Sequence, residues 1–98
     1  MVQIKWTNLA VFDLKEIYEY IARDSKKYAQ LQVIKIKART NILKKNLLAG
    51  KVNPELSNPD FRELVEGNYR IIYKVVSPER VDILTVHHSA RDLTRRSL

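Results

Sequence analysis

This 98-residue sequence has no cysteine and only two histidines, so it lacks two residue types that commonly bind metals or act in catalysis. Without cysteine there is no disulfide, no zinc–thiolate site and no thiol nucleophile. Two histidines alone make a poor metal site, so we expect neither a metal nor another cofactor. The sequence also lacks an apolar run of about 18 residues and the apolar region of a signal peptide. We therefore expect a cytoplasmic protein that does not span a membrane.

Acidic residues are missing from one long stretch. The net charge is +7, yet no Asp or Glu occurs between Ser25 and Pro54. Eight of the eighteen cations lie there: Lys26, Lys27, Lys35, Lys37, Arg39, Lys44, Lys45 and Lys51. Such a block favours encounter with a polyanion or an acidic protein. The alternative interpretation is a helix face that lysine side chains keep in solution.

The first part of the chain predicts a strand and a helix. A hydrophobic content of 45% suffices for one core, so residues 1–98 are predicted to form a single domain. Residues 2–6 alternate between apolar and polar, which predicts a short edge strand. Thr7 or Asn8 is expected to cap the following helix, with Asp13 in or near its first turn. The core-facing stripe of this helix is Ala10, Leu14, Ile17 and Ile21.

A second, longer helix is predicted after a break at Asp24 and Ser25, and it forms an antiparallel hairpin with the first. One of its faces carries Ala29, Val33, Ile36, Leu43 and Leu47. A second apolar stripe, set apart by a row of lysines, consists of Leu31, Ile34, Ala38 and Ile42. Either one stripe packs on the first helix and the other on the sheet, or one is covered only by a partner segment.

The second half of the sequence predicts strands. Residues 48–59 contain one glycine and two prolines, which indicates a long connecting loop. Strands are predicted at 61–66, 69–76 and 80–88, joined by short turns into an antiparallel meander. Residues 91–96 are expected to form a short C-terminal turn or tail. The fold class is thus α+β in the order β-α-α-β-β-β, with the helical hairpin packed on a twisted antiparallel sheet.

Several short motifs, taken together, resemble the RelE/ParE toxin superfamily. They are Gly50-Lys51, Pro54-Glu55, Arg62-Glu63-Leu64, Tyr69-Arg70-Ile71-Ile72-Tyr73 and Val86-His87-His88-Ser89-Ala90-Arg91. With the pattern of the first helix, the resemblance covers nearly the whole chain. It implies the same α+β fold. It also implies the toxin of a type II toxin–antitoxin pair, restrained by an antitoxin whose C-terminal segment wraps around it.

The resemblance suggests a purpose for the acid-free block and the second stripe. An acidic, amphipathic antitoxin segment would use apolar contacts and lysine charges together. The residues predicted to bind the antitoxin are Leu31, Ile34, Ala38, Ile42, Lys37 and Lys44.

One class within the superfamily is enzymatic. RelE-like and YoeB-like members are ribosome-dependent nucleases that cut messenger RNA by attack of a ribose 2′-hydroxyl on the adjacent phosphate. For that class, the resemblance assigns Glu55 as the base, Arg70 as the phosphate clamp and His88 as the acid. Residues that would assist in holding RNA are Lys51, Arg62, His87 and Arg91.

ParE-like members instead poison DNA gyrase, and this sequence shares features with them. The triplet Arg62-Glu63-Leu64 and the Ser-Ala-Arg continuation after His88 resemble that branch. Ser89 stands where the nucleases have a tyrosine after the histidine. The arginine that RelE has shortly before its Tyr-Arg strand is replaced here by Val65 or Glu66. We predict a gyrase-directed toxin. The alternatives are a ribosome-dependent endonuclease and a degenerate member that only binds its antitoxin.

The three candidate catalytic residues also have purely structural interpretations. Glu55 would pair with a lysine at the loop, and Arg70 would anchor the sheet through Glu63 or Asp82. His88 would be hydrogen-bonded at the end of its strand. These interpretations stay open at the level of the sequence, because a fold alone does not define an activity.

Overall fold

The computed structural model describes residues 2–89, which form two helices, a 3-10 segment and five strands. The predicted C-terminal turn at 91–96 lies outside the described residues. The elements are β1 (Gln3–Trp6), α1 (Asn8–Ala22), α2 (Lys26–Arg39), the 3-10 helix (Thr40–Lys44), β2 (Lys51–Val52), β3 (Phe61–Glu66), β4 (Tyr69–Ser77) and β5 (Arg80–His88). The predicted α+β class is confirmed. No helix within 2–89 has both the length and the apolar character needed to cross a membrane.

All five strands belong to one sheet, in the order β1-β5-β4-β3-β2. The meander of β3, β4 and β5 is antiparallel, as predicted, and β1 lies at the edge. β1 runs parallel to β5, however, with Gln3 opposite Arg80. Parallel neighbours need a long crossover connection, and here most of the chain supplies it. The sheet is therefore antiparallel except at this edge.

The helices begin where the sequence predicts. The Thr7 side chain accepts a hydrogen bond from the Ala10 N–H at 3.1 Å, and Ser25 accepts one from Tyr28 at 3.2 Å. α2 ends at Arg39 and continues as the 3-10 helix, so the predicted second helix is shorter than its apolar pattern indicates. The buried side chains that join helices and sheet in one core include Leu14, Ile17, Ile36, Leu43, Ile71, Tyr73 and Ile83.

Asp13 lies in the second turn of α1, just beyond the first turn, and its side chain is buried. It accepts hydrogen bonds from the Val86 backbone N–H at 3.0 Å and from the Thr85 hydroxyl. The pairing of β1 with β5 ends at Trp6 and Ile83. Beyond that point no strand within residues 2–89 pairs with this edge of β5, and the carboxylate of Asp13 takes the place of one.

The segment at 48–59 is not entirely a loop, because Lys51 and Val52 pair with Glu63 and Arg62 of β3. This two-residue strand, β2, was not predicted. A strand of two residues is too short to show an alternating pattern of hydrophobicity, and the neighbouring glycine and prolines indicate a turn.

The second apolar stripe of α2 is exposed. Leu31, Ile34 and Ile42 are 41%, 60% and 45% exposed, and Ala38 is exposed as well. The interpretation that both stripes are buried within the domain is therefore wrong. Leu31, Ile34 and Ala38 lie on neighbouring turns of α2, and Ile42 lies on the 3-10 helix that follows. Exposed apolar side chains of this kind offer a surface that a partner can cover.

Candidate functional site: the Arg70 cluster and two clefts

Arg70 lies at the centre of a polar cluster on β3 and β4. Its Nε and Nη2 donate to the two carboxylate oxygens of Glu63, at 3.0 and 2.7 Å. Its Nη1 donates to Glu55, which reaches over from the segment after β2. Of the two partners predicted for Arg70, Glu63 is confirmed, whereas Asp82 pairs with Arg80 at 2.9 Å. Glu55 thus binds this arginine.

Asn53 holds Glu63 and the backbone at Glu55 in place, and the sequence analysis did not predict this role. Its side-chain amide donates to Glu63 at 3.1 Å, while its carbonyl oxygen accepts from the backbone N–H groups of Glu55 and Leu56 at 2.9 and 3.0 Å. Asn53 is fully buried. The available signal was the Asn53-Pro54 pair, because Asn before Pro favours a turn in which the side chain caps the following backbone. We call Asn53, Glu55, Glu63 and Arg70 the Arg70 cluster.

The electrostatics of the Arg70 cluster are unusual for a phosphate clamp. One guanidinium faces two carboxylates, so the cluster carries a formal charge of −1. The hydrogen bond to Glu63, followed by the one to Glu55, raises the pKa of Arg70 above its ordinary value, against the opposing effect of burial. Both carboxylates thus stabilise the charged arginine, and all three of its donor nitrogens are occupied.

A second polar contact holds the chain just before β2 against the sheet. The Tyr73 hydroxyl donates to the Leu47 carbonyl at 2.7 Å and accepts from the Gly50 N–H at 2.9 Å. Arg62 donates to the Gly50 carbonyl at 2.9 Å. A Cβ atom on Gly50 would lie 2.5 Å from the Glu63 carbonyl oxygen, so only glycine fits here. Burial raises the pKa of Tyr73, which keeps this hydroxyl protonated.

The structure does not bring all three candidate catalytic residues together. Arg70 is opposite His87 in the β4–β5 ladder, whereas His88 is opposite Tyr69. Opposed residues of an antiparallel pair point to the same face, and successive residues point to opposite faces. His88 therefore lies on the other face of the sheet from Arg70, where its ring contacts that of Tyr69 in an edge-to-face arrangement at 5.7 Å.

The residues predicted to assist with RNA are also divided. Lys51 is opposite Glu63 in the β2–β3 ladder and shares the face of Arg70, while Arg62 is on the other face with Tyr73. His87 is buried, and Arg91 lies outside the described residues. Among residues 2–89, no group of three or more His, Asp or Glu side chains is arranged to hold a metal ion.

A cleft of about 380 Å³ opens where α1 crosses the ends of β4 and β5. Burial, with a smaller contribution from Tyr20, raises the pKa of Tyr69 in its wall. The cleft thus holds an uncharged phenol beside the ring of His88. Its lining residues are Asp13, Glu16, Ile17, Tyr20, Tyr69, Val86, His87 and His88.

A larger groove, of about 680 Å³, runs between the two helices, the 3-10 helix and β1. Two of the residues predicted to bind the antitoxin, Lys37 and Lys44, lie on its rim with Lys15. The other four form the exposed apolar stripe, which runs from α2 onto the 3-10 helix, and do not line the groove. The groove residues are Ile4, Trp6, Val11, Leu14, Lys15, Tyr18, Val33, Lys37, Thr40, Asn41 and Lys44.

The comparison with protein families identifies the chain. Residues 4–93 match the model of the ParE toxin of type II toxin–antitoxin systems, parDE. The chain belongs to the ParE toxin family. This ParE-family chain is accordingly a toxin of the type II toxin–antitoxin class, as the resemblance implied. No curated protein matches it.

Solved structures share the fold of this ParE-family chain. The chromosomal ParDE system from P. aeruginosa matches with a TM-score of 0.74 and 24% identity, over 90% of this chain and 96% of that one. The RelBE2 toxin–antitoxin complex from Mycobacterium tuberculosis matches with a TM-score of 0.56 and 23% identity, over 89% and 96%. The YoeB/ParE toxin from Agrobacterium tumefaciens matches with a TM-score of 0.59 and 17% identity, over 89% and 98%.

Proposed function

We propose that this toxin arrests growth by poisoning DNA gyrase and that a cognate antitoxin neutralises it. Membership of the ParE family supports gyrase as the target, because the ParE-like branch of the superfamily is the one that acts on gyrase. The fold itself carries no weight in this choice, since RelE- and YoeB-like structures share it. The choice between gyrase and messenger RNA therefore depends on the site.

The observation that carries the proposal is the closed state of the Arg70 cluster. A nuclease of this superfamily needs an arginine that is open to phosphate and a base that is open to the 2′-hydroxyl. Here Glu55 and Arg70 bind each other, and Glu63 occupies the other two donors of the arginine. His88, the proposed acid, lies on the other face of the sheet. The arrangement supports a toxin that acts by binding.

The helical surface supports an acidic antitoxin segment. The groove has an apolar floor with Lys15, Lys37 and Lys44 at its rim, and the acid-free block leaves the cations of α2 without neighbouring carboxylates along the chain. Leu31, Ile34 and Ala38 of the exposed stripe lie on α2, the helix that also carries Lys37 of the rim. An amphipathic acidic segment would bury apolar area in the groove and pair its carboxylates with the rim lysines.

The test of the target uses purified toxin, gyrase and plasmid DNA. We expect trapped gyrase–DNA cleavage complexes, seen as linear plasmid after denaturation of the enzyme. In cells that express the toxin alone, primer extension should find messenger RNA uncut while growth stops. Normal supercoiling in the presence of saturating toxin, together with codon-phased cuts in translated messages, would instead establish the ribosome-dependent nuclease. Harmless expression without antitoxin would establish the degenerate member.

A further inference from the structure

Helix α1 separates two surfaces of opposite charge. On one side is the groove with lysines at its rim, and on the other is the cleft at the ends of β4 and β5. The cleft is lined by the carboxylates of Asp13 and Glu16, and none of its lining residues within 2–89 is a lysine or an arginine. The residues of α1 that line the cleft recur at helical spacing, so they share one face of the helix. The cleft is therefore an acidic place on a chain of net charge +7.

The two carboxylates of the cleft differ in what they bind. Asp13 accepts hydrogen bonds from Thr85 and Val86, which hold it against β5. Glu16 is exposed, and its side chain takes part in no hydrogen bond or ion pair among the residues that the structure describes. The neighbouring cation Lys15 lines the groove instead and pairs with Glu19 at 4.0 Å. Glu16 is therefore the carboxylate that an incoming cation would meet.

Aromatic rings form another part of the cleft wall. The rings of Tyr69 and His88 contact each other edge to face. Tyr20 lines the cleft from α1, and its phenol contributes to the raised pKa of Tyr69. The guanidinium of Arg23, which does not line the cleft, lies 5.7 Å from the centroid of the Tyr20 ring. The face of an aromatic ring is negative and attracts cations, so these rings add to the attraction of Glu16.

An arginine side chain has the properties that this cleft complements. Its guanidinium is planar, so it stacks on an aromatic ring while its edge donates hydrogen bonds to a carboxylate. A guanidinium is also more weakly hydrated than the ammonium group of lysine, so less hydration is lost when it enters a partly closed site. The cleft volume of about 380 Å³ is in the range of sites that enclose a small ligand, which leaves room for one side chain.

We propose that this cleft binds an arginine side chain of a partner protein. Glu16 accepts hydrogen bonds from the guanidinium, and the rings of Tyr20 and Tyr69 pack against it. The acidic segment proposed for the groove is a different ligand, because α1 lies between the two surfaces and both can be occupied together. The inference does not depend on gyrase as the target, since it concerns the cleft alone and is tested with a peptide.

The first test compares two short peptides that differ in one charged group. An N-acetylated, C-amidated Gly-Arg-Gly peptide is titrated into the full-length toxin, and the ring resonances of Tyr20 and Tyr69 are followed by NMR. The control ligand replaces arginine by citrulline, which has nearly the same shape and no charge. We expect the arginine peptide to bind at least about tenfold more tightly and to shift both tyrosine resonances. A Gly-Lys-Gly peptide should bind about threefold more weakly than the arginine peptide.

The second test removes the proposed carboxylate partner. Glu16→Gln is compared with Glu19→Gln, which removes the same charge from an exposed position of α1 outside the cleft. We expect Glu16→Gln to weaken binding of the arginine peptide about fivefold and Glu19→Gln to change it less than about twofold. Tyr20→Leu, at another exposed position, should weaken binding about threefold because leucine offers no ring face.

Three results would overturn the proposal. They are equal affinities for the arginine and citrulline peptides, equal affinities of Glu16→Gln and Glu19→Gln, and resonance shifts confined to residues outside the cleft. Equal affinities for the arginine and lysine peptides would overturn the assignment to a guanidinium. Denaturation midpoints close to that of the wild type ensure that folded variants are compared. Gyrase–DNA cleavage complexes are scored separately, so failure of the cleft and failure of the gyrase proposal give different results.

Discussion

Asp13 of α1 accepts a hydrogen bond from the backbone N–H of Val86 across a sequence separation of 73 residues. The same carboxylate accepts from the Thr85 hydroxyl. Because both donors are buried, Asp13→Ala leaves them without partners in an apolar surrounding. We expect the free energy of unfolding to fall by about 3 kcal/mol, measured by urea denaturation.

Glu16→Ala is the matched control for Asp13, since it removes the same charge from an exposed position one turn further along α1. Its midpoint should stay close to that of the wild type. Asp13→Asn keeps one acceptor oxygen and should cost about 1 kcal/mol. Equal midpoints for Asp13→Ala and Glu16→Ala would show that the contact to β5 contributes nothing.

Arg70→Ala should destabilise the fold as well as any function, because it leaves the carboxylate of Glu63 buried without its cation. We expect a loss of about 3 kcal/mol in the free energy of unfolding. Arg80→Ala, which breaks an exposed pair with Asp82, should have a smaller effect. Loss of toxicity in Arg70→Ala therefore identifies a functional residue only if the thermal midpoint of the variant is retained. A midpoint equal to that of Arg80→Ala would contradict the structural role.

Gly50 and Gly67 should respond differently to an added side chain. A Cβ on Gly50 would meet the Glu63 carbonyl at 2.5 Å and the Tyr73 ring at 2.7 Å. Gly50→Ala should therefore cost about 3 kcal/mol through displacement of the chain before β2. Gly67 has a φ of 58° with open space around it, and Asn tolerates that conformation, so Gly67→Asn should cost about 0.5 kcal/mol. Similar denaturation midpoints for the two variants would refute this account.

Tyr73 should make the stability depend on alkaline pH. Burial raises the pKa of Tyr73 above its ordinary value of 10.0, so the unfolded chain loses this proton first. The resulting contribution to stability is complete below about pH 10 and is lost as pH rises further. Tyr73→Phe removes two hydrogen bonds and should cost about 2 kcal/mol at neutral pH.

The role of Tyr73 is tested by the slope of the urea midpoint against pH, compared between the wild type and Tyr73→Phe. Between about pH 8 and pH 11, the urea midpoint of the wild type should fall more steeply than that of Tyr73→Phe, because only the wild type has this buried phenol. All other side chains are the same in both proteins, so their contributions cancel in the difference. Parallel slopes would exclude Tyr73 as the cause.

Charge reversal at the groove should weaken the antitoxin complex. Lys37→Glu with Lys44→Glu places two carboxylates on the rim where an acidic segment is proposed to bind. We expect at least about a tenfold loss of affinity and growth arrest that co-expressed antitoxin no longer relieves. The control is Lys27→Glu with Lys45→Glu, an equal charge change at exposed positions that do not line the groove. Equal losses in both double variants would place the antitoxin elsewhere.

The sequence predicted those parts of the fold that repeat a local pattern. The bounds of β3 and β5 are as predicted, and β4 is longer by one residue, because each alternates between faces over six residues or more. The caps Thr7 and Ser25 are likewise local signals. β2 escaped prediction because two residues carry no period, and the buried role of Asp13 depends on where a distant strand ends.

The sequence predicted two of the residues in the candidate site but not the contacts between them. The resemblance pointed to Glu55 and Arg70, and the structure places them in contact. It could not show that Glu63 and Asn53 complete the cluster, since these contacts join segments that only the β2–β3 and β3–β4 pairings bring together. The choice between His87 and His88 depends on strand register, where a shift of one residue exchanges the two faces.

The pairing of β1 with β5 joins two strands that are far apart in the order of synthesis. Gln3 leaves the ribosome early, but its partner Arg80 follows 77 residues later. Until β5 has been translated, β1 cannot pair with its neighbouring strand, and Asp13 of α1 cannot accept the hydrogen bond from the Val86 N–H. A nascent chain stalled before β5 cannot complete the domain. Folding of this domain thus requires translation through β5, so products truncated before Arg80 should lack the folded toxin domain.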